Sequence, residues 1–384
     1  MESVINSDNN VEGVKKHIML IKSNRPCIGD TRLVKEITTF RQNGYRVTVI
    51  CWDRERISSP DATDLNLNYS EICLRLKAPY GPRVVLFWPL WWLFVSFQLM
   101  VSNYDVIHAI NFDSIIPSGI IAKIKKKAIV YEMYDPFEDL IAMPLLLRNF
   151  LLFIDKIFMR SANAVIVVDE SRIREFNGIP NKVIVIYNSP PDLIKEFKIK
   201  NKYSIPFKIF YAGMINRSRP IDKVIEAIST IDGVELTIAG FGENAKKIEQ
   251  LSSQYPKKIR YIGRIDYKTV LDHTLSSDLL FSFYNPEIPV AKFAASNKLF
   301  EAMMCGKPIL VSNYSAMADI IERENCGLVV DNTRVEKIRD SVEKLKCNRD
   351  LCLKLGLNGR AAYEARYSWE LMEKRLMEIY KDIK

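Results

Sequence analysis

Histidine is almost missing from this chain of 384 residues: there are three, His17, His108 and His273. A metal centre built on clustered histidines is excluded by that count. The seven cysteines (Cys27, Cys51, Cys73, Cys305, Cys326, Cys347 and Cys352) are odd in number and include no Cys-x-x-Cys pair. Along the chain they read as small hydrophobes in a reducing compartment, neither a disulfide framework nor a zinc site. Low-complexity tracts and repeats of solenoid period are absent, which sets aside fibrous and solenoid architectures. Met1–Gly13 is polar and slightly acidic, so no signal peptide is expected there. Acidic residues are the scarcer charge, 46 against 55 basic, for a net charge of +9. That bias suits anionic lipid, nucleic acid or phosphorylated substrates and decides among none of them.

What the chain does have is apolar mass: 48% hydrophobic residues, with 17 Tyr, 18 Phe and 5 Trp. At about 150 residues per domain the length suggests two domains. Short β-branched runs alternate with helical patterns. His17–Lys22, Tyr45–Cys51, Asp105–Ala109, Ala128–Tyr131, Ala164–Val168 and Val183–Tyr187 read as strands. Thr31–Gln42, ended by Asn43-Gly44, and Ser118–Lys126 read as helices between them. Pro190-Pro191 and the charged stretch Asp192–Tyr203 form a linker, after which strand and helix alternation restarts at Lys208. The expected fold class is α/β, with two doubly wound, Rossmann-like parallel-sheet domains. Residues 1–14 are expected as a disordered start, 15–195 as the first domain and 205–366 as the second. In such sheets ligands bind beyond the carboxyl ends of the strands, and the expected active site is the cleft between the domains.

Val84–Val101 is 18 residues long with only Ser96 and Gln98 polar, the length at which a membrane span must be weighed. Pro89 and the crowding of tryptophans at one end argue against a span. Leu140–Phe158 is apolar but carries Arg148, Asp155 and Lys156, and reads as amphipathic. With Lys123, Lys125, Lys126, Lys127 and Arg160 nearby, three readings of 84–101 stand: a helix in the membrane interface, a buried core helix, or a span.

The most informative stretch is Ser296–Val311, SNKLFEAMMCGKPILV. Ser296 is a good N-cap for a helix from Asn297 to Met304, and Gly306 and Pro308 stop it. Amides at Ser296–Lys298 and the helix dipole make an anion site suited to a diphosphate. Lys298 and Glu301, three apart, share a face. A capped helix with a surface Lys–Glu pair is the plain alternative.

SNKLFEAMMCGKPILVSN closely resembles the nucleotide-sugar motif of retaining glycosyltransferases of family 4, which have the two-domain GT-B fold. NGYRVTVI, YDVIHAINFDSIIPSGIIAKI, FYAGMINRSRPIDKVIEAI and LTIAGFGE resemble further pieces in the same order. YSWELMEKRLMEIYKDI resembles the terminal helix, here 369–384, that crosses back onto the first domain. The resemblance covers roughly residues 15–384. It implies that Glu301 accepts the ribose hydroxyls of a nucleotide-diphosphate sugar. Lys298 and the amides of Ser296 and Asn297 would line the diphosphate, with Arg217 and Arg219 on the phosphates and Gly213 allowing close approach. A solvated turn with two surface arginines is the alternative for the last pair. The resemblance also sets Gly29 against the diphosphate, in the loop Cys27–Arg32; Asp30 and Arg32 can instead be a helix cap and an exposed charge.

Three departures from the family pattern stand out. Phe293 occupies the place of the first of two paired glutamates, Tyr134 that of a first-domain histidine, and Met214 that of an arginine. His108 lies within an expected buried strand and reads chiefly as a satisfied core histidine. Asp135, Tyr134 and Asp113 are the candidate catalytic residues. The expected function is transfer of a sugar, with retention, to a lipid-linked glycan or polysaccharide by a cytoplasmic, peripheral membrane enzyme. The membrane surface would be met through 84–101 and 140–158. No cofactor is expected; Asp-x-Asp is lacking in a suitable place, so no essential metal is expected, and the basic residues form no aromatic-interleaved stripe for a nucleic-acid partner. A nucleotide-sugar epimerase and a catalytically decayed sugar-nucleotide-binding scaffold are the alternatives.

Overall fold

A computed structural model describes residues 16–23, 30–55, 68–79, 81–134, 144–176, 182–194, 197, 205–288 and 296–383. The chain divides into two compact units: Met1–Val167 with Phe176–Val185 and Arg375–Lys384, and Val168–Glu175 with Ile186–Lys374. The division falls at Val185 and inside the last helix, away from the linker read in the sequence.

In the first unit, strands β1 (His17–Lys22), β2 (Arg46–Asp53), β3 (Ser70–Arg75), β4 (Val106–Ile110), β5 (Ala128–Met133), β6 (Ala164–Val167) and β7 (Lys182–Val185) form one parallel sheet. Its order is β3-β2-β1-β4-β5-β6-β7. Helices α1 (Thr31–Gln42), α2 (Trp88–Val101), α3 (Phe112–Lys125) and α4 (Leu145–Ser161) accompany it. β4 and β6 are buried along their whole length, as continuous apolar runs in a covered parallel sheet should be. β3 is a sheet edge, only half-buried, and its weak apolar pattern SEICLR hid it from the sequence reading.

Two prolines behave differently from expectation. Pro89 opens α2 in its first turn, where its missing N–H costs nothing, so it interrupts no helix. Pro117 lies inside α3, which starts at Phe112 and not at Ser118. An interior proline deprives the carbonyl four residues earlier of its donor. That carbonyl belongs to Asp113, and the Trp92 indole N–H of α2 donates to it at 2.8 Å. One face of α2 packs in the core through Trp88, Trp91, Val95 and Leu99, while Leu90, Leu93, Phe97, Met100 and Val101 stand exposed.

The second unit holds β8 (Phe207–Met214), β9 (Val234–Phe241), β10 (Ile259–Tyr261), β11 (Leu279–Ser282), β12 (Ile309–Ser312) and β13 (Gly327–Val330). They form a second parallel sheet, ordered β10-β9-β8-β11-β12-β13. Its helices are α5 (Ile221–Ser229), α6 (Ala245–Ser253), α7 (Tyr267–Ser276), α8 (Asn297–Met304), α9 (Met317–Glu324), α10 (Val335–Cys347) and α11 (Arg349–Ala362). The last helix, α12 (Trp369–Asp382), begins in this unit and ends in the first, where the Tyr380 hydroxyl meets His108 at 2.6 Å.

Candidate functional site

The carboxyl end of β8 and the amino end of α8 bring the second-unit residues together. Ser296 caps α8, its hydroxyl accepting the Lys298 amide at 3.3 Å. That amide is therefore taken up by the cap, a correction to the reading that left it open to a ligand. Leu299, Phe300, Met303 and Met304 are buried and fix the helix against the unit's core. Lys298 and Glu301 project from the opposite, partly exposed side.

The Lys298 side chain lies across the end of β8. A Cβ at Gly213 would come within 2.6 Å of Lys298 Nζ, the movable end of that side chain, and it is the φ of +149° that calls for glycine there. The ammonium stands 4.9 Å from the Tyr211 ring centroid. Arg219, in the loop before α5, stacks on Tyr284 with its guanidinium carbon 3.6 Å from the ring centroid. Among the described residues, Arg219 Nη1 is buried with no hydrogen-bond partner. Burial holds the Lys298 ammonium down to about 7, with Arg219 repelling its charge and Glu301 partly offsetting both. Two neighbouring cations, one with an idle donor, form a site electrostatically short of an anion. Glu301 is hydrogen-bonded by Tyr267 of α7, whose phenol is pushed up by burial and by that carboxylate.

Arg217 is set apart. Its backbone amide donates to Glu243 at 3.2 Å, and its exposed guanidinium is 3.9 Å from the same carboxylate. Arg217 and Arg219 do share the rim of a cavity of about 360 Å³, with Lys223, Lys247, Asn285 and Asn332. Sequence reading missed Tyr211, Tyr267 and Tyr284. Tyr211 had a signal, lying two residues before Gly213 on the same strand, whereas the other two come from loops or helices distant in sequence.

With this geometry in view, comparison with known proteins is direct. Residues 31–189 match the family model described as Glycosyltransferase Family 4, and residues 192–362 the one described as Glycosyl transferases group 1. The chain belongs to glycosyltransferase family 4. An uncharacterized glycosyltransferase of Methanocaldococcus jannaschii is 22% identical over 244 residues, covering 59% of this chain and 60% of that protein. A GDP-mannose-dependent monoacylated alpha-(1-6)-phosphatidylinositol monomannoside mannosyltransferase of Corynebacterium glutamicum is 23% identical over 155 residues, 40% of each chain. The match thus spans about half the length of these curated relatives. Among solved structures, Anabaena HepE in complex with UDP superposes with a TM-score of 0.71 at 16% identity, covering 96% of this chain and 100% of that one. The two sheets are those of the GT-B fold.

Two first-unit positions singled out in this family-4 chain, Gly29 and Asp135, lie outside the described residues, as does Phe293. Asp30 is the cap of α1, its carboxylate accepting the Leu33 amide at 3.1 Å and pairing with Lys22. Arg32 is no exposed charge: it is buried and paired with Glu36, at 2.9 Å, and with Glu132. Tyr134 donates to Glu36 at 3.4 Å, and Lys22 Nζ stands 4.3 Å from its ring centroid. Burial and the two glutamates push its phenol well up, which leaves it a hydrogen-bond donor and unsuited as a base. Asp113 is buried at the start of α3, its acid raised by burial while Ser23, Arg54 and Lys22 pull the other way. His108 bridges Glu132 at 2.8 Å and Tyr380, a satisfied core histidine.

Proposed function

We propose that this chain transfers a sugar from a nucleotide-diphosphate sugar to a lipid-linked glycan or polysaccharide acceptor, with retention at the anomeric carbon. The observation that carries the reading is the pair of cations Lys298, lying over Gly213, and Arg219, stacked on Tyr284, which a pyrophosphate would neutralise. Glu301 is suited to accept ribose hydroxyls, and the Asn297 amide and helix dipole add to the anion site. Leaving-group charge is then met by Lys298 and Arg219, without a need for a divalent metal in that role. Same-face attack, with the departing phosphate oxygen taking the acceptor proton, needs no dedicated protein base; Asp113, Tyr134 and Asp135 would assist by holding the acceptor.

The donor is tested by a thermal-shift screen of nucleotide-diphosphate sugars. Ligand at a hundred times its Kd stabilises by about 2.7 kcal/mol. At least one donor should raise the Tm of the wild-type protein, and Glu301→Ala should lose that shift. If no donor shifts the wild type, the reading fails.

The membrane part of the proposal rests on the first unit. Exposed apolar side chains run across three helices: Leu93 and Phe97 on α2, Ile120 and Ile124 on α3, and Leu146, Phe150 and Phe153 on α4. α3 touches both neighbours, and Lys123, Lys126, Arg148, Lys156 and Arg160 are exposed among them. Arg83–Val101 has a mean hydropathy of 1.9 over its most apolar window, of which 28% is buried. An apolar face edged with cations matches an anionic bilayer surface, with the protein peripheral on the cytoplasmic leaflet. A lipid-linked acceptor also agrees with the name of the Corynebacterium relative. Protein should float with vesicles containing phosphatidylglycerol and Leu93→Glu/Phe97→Glu should not; wild-type protein left in the pellet fraction at low salt would refute membrane docking.

A further inference from the structure

The cysteines show no metal-binding spacing along the chain, yet the sheet pairs two of them. In the parallel register of β2 and β3, Cys51 lies opposite Cys73 and Val49 opposite Glu71. Strand alternation puts residues two apart on one face, so Glu71, Cys73 and Cys51 project from the same side of the ribbon. Their ligand atoms all lie within 4.8 Å of one another. The Cys51 thiol donates to the Ile72 carbonyl at 3.9 Å and interacts with both Glu71 and Cys73. The Tyr69 hydroxyl donates to Glu71 Oε2 at 3.3 Å and orients the carboxylate. Cys51 is buried, while Cys73 and Glu71 are partly exposed and leave an entry path.

We propose that Cys51, Cys73 and Glu71 form a binding site for one thiophilic divalent cation of the zinc class, with its fourth position open to water. The cation replaces the two thiol protons, which pass to solvent. Arg75, on the same face and interacting with Glu71, offsets the surplus negative charge of two thiolates and a carboxylate. A second group of ligating side chains, Glu36, His108 and Glu132, is as tightly gathered, but the Arg32 guanidinium already pairs with both carboxylates there. Bound metal would tie the edge strand β3 to β2, far along the sheet order from β7.

The test is titration of the reduced, chelator-stripped full chain with Cd²⁺ alone as a spectroscopic probe, followed by Zn²⁺ competition. One equivalent should produce a sulfur-to-cadmium charge-transfer band, and two of the seven thiols should become protected from a thiol reagent. Cys73→Ser should lose the band, Glu71→Gln should weaken affinity at least tenfold, and Cys347→Ser should behave as wild type. Cys73 is partly exposed, so its serine variant keeps the test open should Cys51→Ser fail to fold. Absence of a band at one equivalent, or an undiminished band in Cys73→Ser, would overturn the proposal.

Discussion

Lys298 carries the sharpest consequence at the scale of single residues. Its ammonium is held down to about 7 by burial and by Arg219, against an ordinary value of 10.5. Below pH 7 it is charged in both the folded and unfolded chain, and the full penalty of the buried charge is present. As pH rises from 7 toward 10.5 the unfolded chain keeps a proton that the folded chain has lost, so unliganded stability rises across that window. A pyrophosphate diester does not titrate there and binds the charged form. Donor affinity should therefore be flat below about pH 7 and fall toward tenfold per pH unit above it. Lys298→Arg should give a flat profile between pH 7 and 9, measured by calorimetry; a wild-type profile that is flat across the same range would contradict this account of Lys298. The lysine and its acid were legible in SNKLFEAMM because helix spacing alone sets them on one face. Its depressed protonation was not, because it depends on Arg219 and Gly213, some eighty residues away in sequence. Likewise an exposed charge stood as one reading of Arg32, since nothing local announces that Glu132 waits on a strand a hundred residues on.

Helices and strands show the same division between local and non-local causes. Buried parallel strands such as VIHAI and AVIV betray themselves by continuous apolar runs, whereas β3, partly solvent-facing at a sheet edge, does not. α3 is the instructive case. Its proline would be costly, but Trp92 supplies the donor that Pro117 lacks, so the helix extends six residues before the point at which the sequence starts it. Trp92→Phe keeps an aromatic ring yet strands the Asp113 carbonyl, and should cost about 1–3 kcal/mol in denaturant unfolding. Adding Pro117→Ala restores an amide donor within the helix and should recover most of that loss. A Trp92→Phe cost that Pro117→Ala leaves unchanged would show that the indole acts through packing alone.

At the scale of the whole molecule, the order of strands, turns and helices was the readable part. Two parallel sheets and the family-4 assignment follow from pieces that are individually weak but correctly spaced, and both family models fall on them in sequence. The compact division at Val185 was not readable, because chain composition marks the proline-rich stretch after it more strongly than the break itself, whereas the passage of the last helix into the first unit was carried by the resemblance of YSWELMEKRLMEIYKDI. What the whole account turns on is whether the end of β8 and the start of α8 hold a pyrophosphate. The direct measurement is calorimetric titration of wild-type and Arg219→Ala protein with the nucleoside diphosphate of the stabilising donor, and with the same nucleoside carrying no phosphate. Loss of one charge-assisted pair should weaken the diphosphate roughly ten- to a hundredfold and leave the nucleoside unchanged. Equal diphosphate affinity in both proteins, or a wild type that binds nucleoside and diphosphate alike, would contradict it.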